Sequence, residues 1–153
     1  MEAILTMNFT NAHNDASLAR FVQAQARDYV QALAELRAGH KRTHWIWYVL
    51  PQLRGLGRSS TAQFYGLAGR AEAAAYAAHP LLGPRLVQCV QALLAHPERT
   101  AQQMLGEVDA MKLRSCLTLF AAVAPQHGEF AQALQVFFGG RPDTATLQLL
   151  ADT

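Results

Sequence analysis

Alanine and leucine together supply 49 of the 153 residues, whereas valine and isoleucine supply only 10. Ala and Leu lose little freedom on entering a helix, and the β-branched side chains that favour strands are scarce. With 51% hydrophobic and 16% charged residues, the chain has enough apolar surface to build a core, which excludes a disordered polypeptide. A chain of this length suits one domain. The expectation is therefore an all-α fold: a single compact domain of several short to medium helices, with no sheet.

Periodicity and capping residues place the helices. Leu18, Phe21, Val22, Gln25, Tyr29, Leu33 and Leu36 recur at steps of three or four and predict a helix over 15–37, capped by Asn14 or Asp15 and stopped by Gly39. The run from His40 to Leu53 has an ambiguous period and ends near Pro51; a helix of about two turns is expected there. Residues 54–60 form a glycine-punctuated loop, and Ser60 with Gln63 has the spacing of a capping box, as do Thr100 and Gln103. Further helices are expected over 69–78, 81–95, 109–124 and 128–138, and from Asp143 or Thr144 to Ala151. Residues 1–14 lack the pattern of a signal peptide and are read as a flexible leader to a domain over 15–153. No apolar run reaches the roughly 18 residues of a membrane span. Cys89 and Cys116 lie in apolar runs outside any CxxC pair, which suggests free thiols and a reducing, cytoplasmic setting; a disulfide between them stays open.

The net charge of +2 argues against a general nucleic-acid binder, yet the charge is unevenly spread. No acidic residue occurs between Glu35 and Glu72, an interval holding Arg37, Lys41, Arg42, Arg54, Arg58 and Arg70 together with His40, His44, Trp45, Trp47, Tyr48, Phe64 and Tyr65. Cations interleaved with aromatics suit an anionic, planar ligand, because Arg and Lys neutralise phosphate and ring faces stack on a base. If residues 41–48 are helical, Lys41, His44, Trp45 and Tyr48 share a stripe while Trp47 points to the core; equally, Trp45 and Tyr48 are core residues with Lys41 and His44 at the rim. The Gly55-Leu56-Gly57 loop leads through Ser59 to a helix start, a place where backbone N–H groups can meet an anion.

A second polar cluster falls on Asp109, Lys112 and Ser115, one stripe of a helix beside the apolar stripe of Leu113, Leu117 and Phe120. It either lines a pocket or reflects Asp109 capping the helix and pairing with Lys112. Arg85 is read as a structural arginine or as an anion ligand. His40 and His44 have i, i+4 spacing without a third ligand, so no metal is expected. Cys116 is read as a small core residue rather than a nucleophile.

Several stretches taken together resemble a known family: Arg20-Phe-Val-x-Ala-Gln25, Ala32-Leu-x-Glu-Leu-Arg37-x-Gly39, Lys41-x-x-His44-Trp45-x-Trp47, Pro51-Gln-Leu-x-Gly-Leu-Gly57-x-Ser59, His79-Pro80-x-Leu-Gly83-x-Arg-Leu86, Asp109-x-x-Lys112-Leu-Arg-Ser115 through Thr118-Leu-Phe120, and Gly139-Gly-x-x-Asp143-x-x-Thr146. The chain resembles the bacterial domain-of-unknown-function 1810 family, sometimes labelled calpastatin, from about Leu18 to Leu150. It departs from the family at His40, where arginine is usual. The resemblance implies an all-helical fold and transfers no active site.

Two functional readings follow. In the first, the chain binds or processes a small anionic ligand such as a nucleotide or sugar phosphate. Lys41, His44, Arg54, Arg58, Arg85 and Lys112 supply charge, Ser59 and Ser115 supply hydroxyls, and Trp45 stacks. His44 is then the candidate acid or base, with Asp109 its partner. In the second, a non-enzymatic interaction domain docks an acidic protein partner, nucleic acid being the weaker option. Neither reading calls for a cofactor, a metal or a membrane.

Overall fold

The computed structural model describes the backbone of residues 2–153 and the side chains from residue 16 onward. From Glu2 onward the backbone of the leader expected over 1–14 is helical and runs on into the helix expected from Asn14 or Asp15, so neither residue caps a start there; the side chains of residues 1–15 lie outside those described. Among the described residues there are helices and no strand: α1 (Glu2–Arg37), α2 (Ile46–Val49), α3 (Ser60–Tyr65), α4 (Arg70–Ala78), α5 (Leu82–Leu94), α6 (Ala101–Leu105), α7 (Glu107–Val123), α8 (Glu129–Phe138) and α9 (Thr144–Ala151). None of them is long and apolar enough to cross a membrane.

The fold is organised around α5 and α7. In α5, Leu82, Leu86, Cys89, Val90 and Leu93 are buried at helical spacing, and the helix packs on α1, α4 and α8. The middle of α7 is buried on nearly every side, from Leu113 through Ser115, Cys116, Leu117, Thr118, Leu119 and Phe120. A helix apolar all round has to be central, and α4, α6, α8 and α9 cover it. Ring contacts join four helices in series: Phe21 to Tyr76 at 5.1 Å, Tyr76 to Phe120 at 5.6 Å, and Phe120 to Phe130 at 5.6 Å between centroids. Each such pair contributes about 0.5–1.5 kcal/mol beyond area burial. Both cysteines are free and buried, so the disulfide left open by the sequence is absent.

Several ends fall where the capping residues place them. Thr100 and Gln103 form a reciprocal capping box on α6. Asp143 caps α9 by accepting from the Thr146 amide at 3.0 Å. Gly39, at φ +70°, closes α1: the His40 amide donates to the Glu35 carbonyl and the Gly39 amide to that of Leu36, each at 3.0 Å. That double bond pattern is the Schellman motif, which wants a left-handed residue at this position.

Two expectations need correction. Residues 40–53 form one helical turn, α2, rather than two, so Lys41, His44, Trp45 and Tyr48 do not share a helical face. The cause is Glu35. Its buried carboxylate accepts from the Arg42 amide (2.7 Å), the Thr43 amide (3.0 Å) and the Thr43 hydroxyl (2.6 Å), which satisfies backbone groups that a helix would otherwise use. The cap of α3 is Ser59, which accepts from the Ala62 amide, while the Gln63 side chain donates to the Arg58 carbonyl. The segment between α2 and α4 is cinched where the Arg54 amide meets the Leu67 carbonyl (2.8 Å) and the Leu67 amide meets the Gln52 carbonyl (3.0 Å). Gly66 permits this crossing: a Cβ there would lie 2.6 Å from the Arg54 Cα.

Candidate functional site

Lys41, Trp45, Asp109 and Lys112 come together although they lie far apart in the chain. The Schellman turn at Gly39 and a bond from the Lys41 amide to the Met104 carbonyl (2.8 Å) carry Lys41 across to the start of α7. Its ammonium sits 2.9 Å from one oxygen of Asp109 and 5.0 Å from the centroid of Trp45. Lys112, one turn along α7, lies 3.9 Å from the other oxygen of Asp109 and 4.9 Å from the centroid of Trp47. One carboxylate thus serves two ammonium groups, each resting on an indole. The side chains are 7% exposed for Lys41, 17% for Asp109 and 23% for Lys112, which makes Lys41 the buried partner and Lys112 the one that reaches solvent. Desolvation strengthens both the ion pairs and the cation–π contacts.

Trp45 does not offer a stacking face. It is fully buried, and its indole N–H donates to the Glu35 carboxylate at 3.0 Å. Trp47, expected in the core, is the half-buried one and carries Lys112 on its ring. Burial opposes ionisation of Glu35. Hydrogen bonds from the Thr43 hydroxyl, the amides of Arg42 and Thr43 and the Gln31 side chain outweigh it and hold the carboxyl well below its usual range. Glu35 is the residue that sequence reasoning missed. Its signal was a carboxylate on the apolar face of α1, three residues after Ala32 and beside Leu36, both buried.

Lys112 opens onto a cleft of about 340 Å³ between the 52–57 loop, the first half of α7 and the start of α9. Gln52, Leu56 and Gly57 form one wall, Val108, Met111, Lys112 and Ser115 the second, and Asp143 and Ala145 the third. The Asp143 carboxylate is spent on the amide and the hydroxyl of Thr146, at 3.0 and 2.6 Å. The Ser115 hydroxyl donates to the Met111 carbonyl (3.2 Å), so it presents lone pairs to the cleft. Arg114 braces the third wall by donating to the carbonyls of Arg141 and Pro142, both at 2.9 Å.

The other candidates lie apart from this cleft. His44 is exposed, and the Asp109 carboxylate is engaged by lysines and not by His44. Arg54 is exposed and donates to the Gln63 carbonyl at 3.2 Å, Arg58 is exposed, and Ser59 serves as the α3 cap. Arg85 lies over the Tyr29 ring at 4.4 Å, with a nitrogen 3.4 Å from the Gln25 side-chain oxygen, as a structural arginine would. Gln25 is buried and donates to the Tyr48 carbonyl (2.7 Å) and the Tyr76 hydroxyl (2.9 Å). Burial pushes the Cys89 thiol up to about 12 and Cys116 further, so neither is poised as a thiolate. Among the described residues, no three His, Cys, Asp or Glu side chains converge as a metal site would require.

The model of a family described as protein of unknown function (DUF1810) matches residues 15–150. The crystal structure of the conserved hypothetical protein Rv1873 from Mycobacterium tuberculosis is similar, with 46% identity and a TM-score of 0.87 over 89% of this chain and 97% of that one. No curated protein matches.

Proposed function

The chain belongs to this family of proteins of unknown function, and from that premise we propose that it binds a small anionic ligand in the cleft over Lys112. One observation carries the reading. Asp109 lies a full ångström nearer Lys41 than Lys112 (2.9 against 3.9 Å), so the ammonium that faces the cleft keeps bonding capacity for an incoming anion. The volume of about 340 Å³ sits at the small end of the ligand-site range, roughly 300–1,000 Å³. Leu56, Val108 and Met111 would contact the body of the ligand, and the Ser115 lone pairs suit a ligand hydroxyl. Neither indole is among the residues lining the cleft, Trp45 being buried and Trp47 carrying Lys112 on its ring, which supports a sugar phosphate or similar organic phosphate over a nucleotide.

A thermal-shift series with orthophosphate, ribose 5-phosphate and uridine monophosphate tests this on the wild type, Lys112→Met and His44→Ala. Saturation at about 100 times Kd stabilises by about 2.7 kcal/mol. The wild type and His44→Ala should respond to ribose 5-phosphate, and Lys112→Met should not. An unresponsive wild type, or an undiminished response in Lys112→Met, overturns the proposal.

A second reading has its own support. Val108 and Met111 are 68% and 73% exposed at the mouth of the same cleft, as a surface for an acidic, apolar protein segment would be. Binding of an acidic leucine-bearing peptide by a protein indifferent to all three phosphates would favour it.

A further inference from the structure

The His79-Pro80 to Leu86 stretch lies at a different cleft, of about 520 Å³, where the end of α4, the start of α5 and the turn between α7 and α8 meet. Its walls are apolar, from Ala77, Ala78, Pro80, Pro84 and Val87, and its polar groups are His79, Gln88, Gln126 and His127. Among the described residues, no Asp, Glu, Lys or Arg lines it.

The hydrogen-bonding sense of two of these polar groups is set by the fold. The Nδ1 atom of His79 accepts from the amides of Leu81 (3.1 Å) and Leu82 (3.2 Å). A nitrogen that accepts carries no proton, so the ring proton is on Nε2, which acts as a donor. The Oε1 atom of Gln88 accepts the Tyr29 hydroxyl at 2.6 Å, and Tyr29 is itself buried beneath the Arg85 guanidinium. That orients the Gln88 amide and leaves its NH2 group to donate. The junction depends on Gly83, where a Cβ would come within 2.2 Å of the Ala77 carbonyl oxygen; without a side chain there, α5 starts directly against α4.

We propose that this cleft is a second binding site, for a neutral ligand that presents carbonyl oxygens to His79 and Gln88 and an apolar face to the alanine and proline walls. Cyclic amides and imides of the pyrimidine kind have this chemistry. Two oriented donors in an apolar cleft select for acceptors. The lack of a lining cation favours a neutral acceptor over an anion, in contrast to the cleft at Lys112.

The test uses the full chain, labelled with ¹⁵N and titrated with uracil. The expected result is a saturable shift of the His79 ring nitrogens and the Gln88 side-chain NH2 signals, with the Lys112 cleft unmoved. Gln88→Glu exchanges a donor for an acceptor, and Ala78→Phe fills the cleft from an exposed position; each should abolish the shifts. Lys112→Met should retain them, which separates this site from the anion site. Absence of any shift in the wild type, or shifts that persist in Ala78→Phe, overturns the proposal.

Discussion

Arg20 and Glu72 make a closed ion pair, whereas Lys41, Asp109 and Lys112 make an open one. The guanidinium of Arg20 donates to Glu72 (2.9 Å), to the carbonyls of Phe64 (2.9 Å) and Gly66 (3.1 Å), and to that of Ser17. Glu72 also accepts the Ala68 amide at 3.0 Å. One cation meets one anion, and the spare donors bond to backbone, so the pair ties α1 to α3, to α4 and to the turn between them. The second system has two cations for one carboxylate, and the more loosely held cation lies at a cleft. A closed pair holds the chain in place. An open one does that and retains positive charge, which is what an anion site requires.

The largest effect should come from Glu35, which holds the loop delivering Lys41. Glu35→Ala strands two amides, a hydroxyl and an indole N–H, and hydrogen bonds to a charged group are worth about 1.5–3 kcal/mol each before relaxation. Urea unfolding should show a loss of about 3 kcal/mol or more. A loss below about 1 kcal/mol would mean that packing of Trp45 alone holds the loop.

Next in size, Asp109→Asn should cost about 2–3 kcal/mol, because it leaves the buried Lys41 without its counter-charge. The same change should tighten phosphate binding, since both ammonium groups are released. Glu72→Gln should cost about 1–2 kcal/mol and leave phosphate binding unchanged. Equal behaviour of the two variants in a phosphate titration would erase the distinction between open and closed pairs.

Acid should expose the same hierarchy. Burial opposes ionisation of Glu72 as well, but the Arg20 guanidinium and the Ala68 amide hold its carboxyl below the usual value. A carboxylate depressed in the folded state stabilises fully above its unfolded pKa, about 4.3, and loses that contribution as pH falls through the folded value. Stability should therefore decline below about pH 4.3, and Glu35→Ala should flatten that decline. A variant as acid-sensitive as the wild type would remove Glu35 from the account.

The smallest effect on stability belongs to Lys112→Met, which keeps the contact with Trp47 and should stay within about 0.5 kcal/mol of wild type by urea unfolding.

Much of the helical framework was legible because its signals are local. The Thr100–Gln103 box, Asp143 before α9 and Gly39 after α1 lie within a turn of the ends they mark. The residues 40–53 were misread because a carboxylate on another element supplies their hydrogen bonds, which no window of local sequence contains. The site was half legible. Lys41, Asp109 and Lys112 were readable as charged groups beside apolar stripes, but the sharing of Asp109 depends on the path of the 38–45 loop. The two tryptophans exchanged roles for the same reason: with one turn of helix in place of two, Trp45 goes inward to Glu35 and Trp47 meets Lys112.

The crossing of Leu53 with Leu67 has a dynamic consequence. It pinches off residues 54–66 at their base, and none of the six residues of α3 within that segment is fully buried. Arg20 and the packing of Tyr65 on Phe21 and Tyr48 hold the far end of this segment, so the tip from Gly55 to Ser60 is the part expected to open at lower free-energy cost than the core. Its amides should exchange with deuterium well before those of α7. Because Leu56 and Gly57 belong to that tip, the wall facing Lys112 is the part of the cleft expected to move most.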